Sequence, residues 1–282
     1  MKLQYFGTSA GGGIPEIFCS CRVCENARRV GGKEIRSRSQ AVLDGAICID
    51  YSVDTFAHTA YRGLDLRNIS HFLITHGHHD HFLHQDVISR PQGVPRPVRF
   101  YGSPKSMGAV KRAVDANEEA YRSGKRIRTC DYRVEIQLIE ELYRPFSVLD
   151  YEIIPLHARH DENVESLNYV IRKGDRSILW AHDTGKFHTE TVEFLRESGM
   201  CFDLVSLDCT LKRGNAITQA HMDIEGCAEM AELLRANGNA DSHTRFFLSH
   251  IGHLVEQTHE ELCREAEEFG FEVAYDGLTV EI

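Results

Sequence analysis

The chain has 282 residues, with 32 Lys and Arg against 42 Asp and Glu, hence a formal net charge of −10 (32 − 42). A mix of 42% hydrophobic and 26% charged residues excludes a disordered chain, and no apolar run reaches the roughly 18 residues of a membrane span. The acidic balance argues against a sequence-independent grip on long nucleic acid, which needs clustered Lys and Arg. The first residues, Met1-Lys2-Leu3-Gln4-Tyr5-Phe6, run straight into a glycine turn and do not read as a signal peptide, so a cytoplasmic protein is expected. Two counts stand out, 16 His and 9 Cys. Cysteines in a reducing compartment more often bind metal, react or fill the core than form disulfides.

In chain order, residues 2–6 read as a strand, followed by the turn Gly7-Thr8-Ser9-Ala10-Gly11-Gly12-Gly13. Strands at 41–43 and 46–49 flank the hairpin signal Asp44-Gly45, and 71–75 is a short apolar strand. Further short strands are predicted near 98–101, 133–139, 151–155, 168–171, 177–180, 203–206, 246–249, 271–274 and 278–281. Helical patterns fit 22–30, 52–61, 83–88, 104–122, 187–197, 223–236 and 256–268. With no repeat and no linker, this reads as one domain over 1–282, two sheets with helices outside. The charged stretch 103–126 is expected to be a solvated helical excursion rather than a substrate lid.

The decisive segment is Thr75-His76-Gly77-His78-His79-Asp80-His81, directly after the apolar strand. At a strand end, His76 and His78 have the period-2 spacing that turns both rings to one side. The chain then turns, so Asp80 and His81 approach a second point nearby. Imidazole and carboxylate are ligands for zinc, manganese or iron. The segment resembles the H-x-H-x-D-H signature of the metallo-β-lactamase superfamily, in whose register His79 is a spacer; His79 and His84 are then second-line or surface residues. The implied fold is α+β, an αββα sandwich of two mixed sheets flanked by helices.

That resemblance implies three further ligands downstream. Ile154-Pro155-Leu156-His157-Ala158-Arg159-His160 offers two histidines, and the family pattern favours His160 over His157. Trp180-Ala181-His182-Asp183-Thr184 supplies a bridging Asp183, with His182 as a neighbour of unassigned role, and Phe246-Phe247-Leu248-Ser249-His250 supplies the last. By resemblance, His76, His78 and His160 hold one divalent ion, Asp80, His81 and His250 the other, and Asp183 bridges. Such a pair, Mn²⁺ or Zn²⁺, can hold a hydroxide and clamp a phosphoryl oxygen.

Cys19-Ser20-Cys21-Arg22-Val23-Cys24 has the C-x-C-x-x-C spacing of a thiolate knuckle, one ligand short of a tetrahedral zinc; a reactive thiol cluster is the alternative. PhnP-type cyclic phosphodiesterases carry a similar knuckle, and the resemblance implies His253 as its fourth ligand, making a structural Zn²⁺ site. Cys48, Cys130, Cys201, Cys209, Cys227 and Cys263 lack ligand spacing and are expected to be core thiols.

His221, in Thr218-Gln219-Ala220-His221-Met222-Asp223, precedes an amphipathic helix and matches the catalytic His of PhnP-type enzymes; a capping or surface role is the alternative. Asp80 and His221 are therefore the expected catalytic pair, with His221 the general acid. The Gly11–Gly13 run can cradle a phosphate or be a plain tight turn. Arg159, Lys186, Lys212 and Arg213 are candidate phosphate contacts, but each reads first as an ordinary surface charge. The expected activity is metal-dependent hydrolysis of a small cyclic or linear phosphodiester, such as a phosphoribosyl cyclic phosphate. No membrane or long nucleic-acid partner is expected, and a homodimer is possible. The alternatives are RNA processing of the tRNase Z kind and a non-hydrolytic role in cofactor biosynthesis, suggested by a Gly11-Gly12-Gly13-Ile14-Pro15 loop similar to that of the pyrroloquinoline-quinone biosynthesis protein B family.

Overall fold

Fourteen strands among the described residues form two seven-stranded mixed sheets. The structure is a computed structural model that describes residues 1–89, 97–126, 134–214 and 219–282. The first sheet contains β1 (Lys2–Gly7), β2 (Gln40–Leu43), β3 (Ile47–Ile49), β4 (His71–Leu73), β5 (Val98–Gly102) and β6 (Val134–Leu138), laid side by side in that order, with β14 (Thr279–Glu281) outside β1. The second contains β7 (Phe146–Val148), β8 (Tyr151–His157), β9 (Leu167–Lys173), β10 (Arg176–Ala181), β11 (Leu204–Asp208), β12 (Arg245–Ser249) and β13 (Glu272–Val273), again in chain order. Hairpins make β7 to β10 antiparallel, whereas β10 to β13 run parallel.

Alternation along the strands explains why the sheets stack. On β10, Ile178 and Trp180 point into a core shared with Leu3, Tyr5, Ile49 and Tyr169, while Leu179 and Ala181 point the other way. The inner faces of the two sheets thus meet on Trp180, which is fully buried and stacks on Tyr5 at 5.7 Å. Truncating Trp180 to Ala costs about 3–5 kcal/mol on the scale of aromatic core deletions.

The outward face of the second sheet is covered by α1 (Arg22–Val30), α5 (Thr189–Ser198), α6 (Ile224–Ala236) and α7 (His259–Glu268), through residues such as Ala27, Leu195, Leu234 and Leu262. The first sheet has α2 (Thr55–Tyr61), α3 (His84–Ser89) and α4 (Pro104–Arg122). Three of these helices begin on side-chain caps, Ser103 accepting from Ser106 N, Asp223 accepting from Gly226 N and Thr258 forming a reciprocal box with Glu261. The result is the expected αββα sandwich.

Some boundaries differ from the sequence reading. β7 was not predicted, because three residues at an edge carry too little pattern. The segment 52–54 is a turn before α2, and 256–258 forms the cap before α7. The expected excursion at 103–126 is not merely solvated: Met107, Val110 and Val114 of α4 are buried in the core of the first sheet. Residue 133, Thr218 and Cys130 lie outside the described residues.

Candidate metal centre

The site assembles where strands of both sheets end. Asp50 follows β3, His76 follows β4, His160 follows β8, Asp183 follows β10, Asp208 ends β11 and His250 follows β12. Ligand sites of α/β folds lie outside the carboxyl ends of strands for the same reason, since chains leaving parallel strands converge there. Asp50, Asp183 and His250 all have left-handed backbone, with φ of 63°, 47° and 54°. Asp and His tolerate that region better than most residues, but it still costs of order 1–3 kcal/mol each, which the surrounding hydrogen bonds must offset.

Two groups of ligand atoms share Asp183. Nε2 of His76 lies 3.0 Å from Nδ1 of His78, which lies 3.3 Å from Nε2 of His160. His76 Nε2 and His160 Nε2 are 3.5 and 3.6 Å from the Asp183 carboxylate. On the other side, His81 Nε2 is 2.5 Å and His250 Nε2 3.1 Å from Asp183 Oδ2, and Asp80 Oδ2 is 3.3 Å from His81 Nε2. The structure therefore brings together all seven residues expected at the metal pair, in the two predicted groups.

Three observations fit divalent metal here. Asp183 Oδ2 is buried without a hydrogen-bond partner, although imidazole nitrogens converge on it. The donor set of imidazole and carboxylate suits zinc or a neighbouring divalent ion. Each candidate His has its other ring nitrogen held: His76 by Thr75 Oγ1 at 3.1 Å, His81 by Asp50 at 2.7 Å, His250 by Asp208 at 3.2 Å, His78 by Asp161 at 3.3 Å and His160 by Ala220 O at 3.4 Å. Such outer partners fix tautomer and orientation in metal-ligating histidines.

The electrostatics divide the two groups. Burial alone would keep His81 neutral, but Asp183, Asp50 and Asp80 together draw a proton onto it and raise its pKa well above the ordinary value. His250 is raised to about 10 against the same burial, chiefly by Asp183. For His76 and His160 burial wins, and both are pushed below the ordinary range.

His221 stands beside this centre, Nδ1 2.9 Å from Asp208 Oδ2 and 3.6 Å from Asp183 Oδ1. Burial would lower its pKa, but the charge and hydrogen bond of Asp208 raise it. A cavity of about 450 Å³ opens at His221, with Arg159, Lys186, Gln219, Met222 and Glu229 on its walls. The segment 219–221 is seated tightly: a Cβ on Gly185 would come within 1.8 Å of Gln219 O.

The knuckle is a separate cluster. His253 Nδ1 is 3.3 Å from Cys19 Sγ and 3.6 Å from Cys21 Sγ, and Cys24 completes the group. His253 Nε2 is held by Glu16 at 3.0 Å. Burial raises the Cys24 thiol to about 12, whereas hydrogen bonds from the Cys24 backbone and His253 outweigh burial at Cys21 and lower it to about 6.

The remaining candidates fall elsewhere. His79 is exposed, and His84 lies at the start of α3. His157 stacks on His188 with ring centroids 4.2 Å apart. His182 is buried behind Asp183, with Nε2 2.8 Å from Ser206 Oγ. Gly11 lies against Asp80, which a Cβ would approach to 3.3 Å. Lys212 pairs with Glu256, and Arg213 with Glu225 and Glu265. Cys48, Cys209 and Cys227 are buried and Cys263 partly so, but Cys201 is exposed and is not the expected core thiol. Sequence reasoning missed Asp50, Asp161 and Asp208. The signal for Asp50 and Asp208 was present: each is an acid closing a short apolar strand, where an unpaired charge would be costly.

Fold and site together define the class, a β-lactamase superfamily fold that carries His, Asp and Cys clusters able to hold metal ions. Residues 46–251 match the β-lactamase superfamily domain, and the chain belongs to that family. It is 24% identical over 206 residues to an octanoyltransferase of Porphyromonas gingivalis (strain ATCC BAA-308 / W83), a match covering 72% of this chain but 38% of that protein, so the chain spans well under half the length of this curated relative. Among solved structures it is similar to a diphosphatase of the PhnP family, with 23% identity, a TM-score of 0.73 and coverage of 100% of this chain and 97% of that one. Zn²⁺-bound PqqB from Methylobacterium extorquens follows at 20% identity and 0.71, covering 100% of both chains. The short form of human tRNase Z matches at 17% identity and 0.67, covering 100% of this chain and 99% of that one. At these identities the likeness is one of fold. No helix among the described residues is long and apolar enough to cross a membrane.

Proposed function

We propose that this chain is a phosphodiesterase acting on a small cyclic or linear phosphodiester, with a phosphoribosyl cyclic phosphate or a nucleoside 2′,3′-cyclic phosphate as the type of substrate. The observation that carries this reading is His221, held by Asp208 at the mouth of a 450 Å³ cavity and 3.6 Å from Asp183. Breaking a phosphodiester needs a proton for the departing alkoxide, and an imidazole raised by a carboxylate is protonated near neutral pH.

His76, His78 and His160 would hold one divalent ion and Asp80, His81 and His250 the other, with Asp183 between them. Two such ions, Zn²⁺ or Mn²⁺, supply an activated water and neutralise the phosphoryl oxygens when bound. Asp80 would supply the carboxylate ligand of the second position. Asp208 orients His221 and keeps its proton in place until the leaving oxygen takes it. Arg159, on the cavity wall, meets the negative charge of the substrate, whereas Lys186 is already paired with Glu229 there. Cys19, Cys21, Cys24 and His253 would hold a structural Zn²⁺ that ties the N-terminal loop to the turn after β12.

The same reading takes the chain as one domain working in the cytoplasm, alone or as a homodimer, on small substrates rather than long nucleic acid. The test is hydrolysis of bis-p-nitrophenyl phosphate and of 2′,3′-cyclic nucleotides with added Zn²⁺ or Mn²⁺. Turnover of the cyclic substrates that is abolished in His221→Ala, with metal retained, is expected. Absence of hydrolysis with either ion would favour a non-hydrolytic role, and cleavage of precursor tRNA alone would favour RNA processing.

A further inference from the structure

The two candidate metal positions are built unequally. Around Asp80 and His81 the outer partners are sealed: the His81 and Asp50 side chains are 0% exposed, His250 is 1% and Asp208 is 0% exposed. Around His78 they are open, with the His78 side chain 36% and its partner Asp161 34% exposed. The Asp80–His81–His250 position also has a carboxylate of its own, Asp80, whereas the His76–His78–His160 position has three imidazoles and shares Asp183. Removing an ion requires its ligands to move apart, and ligands in open loops do so more readily than ligands packed in a core.

His78 differs from the other ligands in how it is held. Its partner Asp161 sits in a loop outside both sheets, fixed by the backbone and side-chain amides of Asn163. That loop is pinned in turn by the first turn of α4: Lys105 Nζ donates to Glu162 O at 2.7 Å, and the hydroxyls of Ser103 and Ser106 donate to Val164 O. The helix that the sequence marks as an excursion thus supports the partner of one metal ligand.

We propose that, of the two ions, the one at His76–His78–His160 is exchangeable and the one at Asp80–His81–His250 is retained, and that Asp161 is the positioning residue that sets how readily the first ion leaves. This rests on the reading of the site as a metal pair.

The experiment starts from the purified zinc-loaded protein at pH 8, with the knuckle ion in place. It follows zinc release to excess dipicolinate by a zinc-responsive dye, with residual metal counted by mass spectrometry. One ion per chain is expected to leave in a distinct first phase. In Asp161→Ala that phase should reach half-completion at about 10–100-fold lower chelator, the usual effect of deleting an outer partner, with Asp161→Asn between it and the parent. The later release should be unchanged. Release of both ions in one phase, an unaltered first phase in Asp161→Ala, or equal weakening of both phases would overturn the proposal. A protein that takes up no zinc beyond the knuckle ion overturns the metal-pair reading itself, and is distinguished by that count.

Discussion

Asp208 places one carboxylate oxygen 2.9 Å from Nδ1 of His221 and 3.2 Å from Nδ1 of His250. One fully buried acid therefore orients both a metal-ligand candidate and the proposed proton donor. Burial would raise the Asp208 pKa, but the facing histidines hold it well below the usual carboxylate range.

The sign of the resulting pH effect follows. His221 must be protonated to donate, so activity falls as pH rises through its pKa, which Asp208 has raised. Asp208→Asn keeps the shape but removes the charge that favours imidazolium, so the alkaline fall of kcat/KM should move to lower pH by about 1–2 units. Profiles of the parent and variant with saturating metal provide the check; coincident alkaline limbs would remove His221 from the role of acid.

Leaving-group dependence separates an acid from a ligand. His221→Ala should lower kcat about 100-fold or more for an alkyl phosphodiester, whose leaving oxygen needs a proton, and far less for a p-nitrophenyl diester, whose leaving group departs unaided. Both substrates should be compared in one preparation with its metal counted. Loss of an ion from His221→Ala would instead make His221 a ligand, a possibility raised by its place among Asp183, Asp208 and His250.

Much of this site is legible in the chain because ligands follow strands. The run His76 to His81, Asp183 and His250 each come directly after an apolar stretch, and strand periodicity makes such stretches readable. His160 could be separated from His157 only by a family pattern, since both stand near the end of β8. Asp161 was invisible, because its importance depends on a loop whose position is set by α4, far along the chain. Likewise Gly185 carries no sign in sequence that Gln219 packs onto it. Contacts of this kind exist only once two sheets have been brought together.

Gly185 nevertheless yields a prediction. A Cβ there would sit 1.8 Å from Gln219 O, and backbone cannot yield as a flexible side chain does. Gly185→Ala must displace the segment 219–221 and with it His221. A misplacement near 1 Å can cost about 100-fold in rate, so kcat should fall by that order with zinc saturating. An Ala variant with parental kcat would show that His221 needs no such seating.

The knuckle predicts a different phenotype. Cys21→Ser should lose one zinc per chain and lower the midpoint of denaturant unfolding, because a closed thiolate site contributes its binding energy to folding. Cys201→Ser, at an exposed thiol, is the matched control and should leave metal content and midpoint unchanged. A Cys21→Ser protein with its full zinc complement would return the three cysteines to the reading of a reactive thiol cluster.

The charge distribution makes the two metal positions respond differently to pH. In metal-free protein, carboxylates hold His81 and His250 protonated at pH 7, whereas burial leaves His76 and His160 neutral. An ion entering at Asp80–His81–His250 must displace two protons, so its apparent affinity should rise by up to about 100-fold per pH unit near neutrality. An ion entering beside His76 and His160 displaces none from those two rings, and its affinity should be nearly flat over the same range. Calorimetric zinc titration in two buffers of different ionisation enthalpy counts the protons released in each step. Release of about two protons in one step and close to none in the other is expected. Equal release in both steps would mean that Asp183 does not divide the centre as its contacts with His81 and His250 imply.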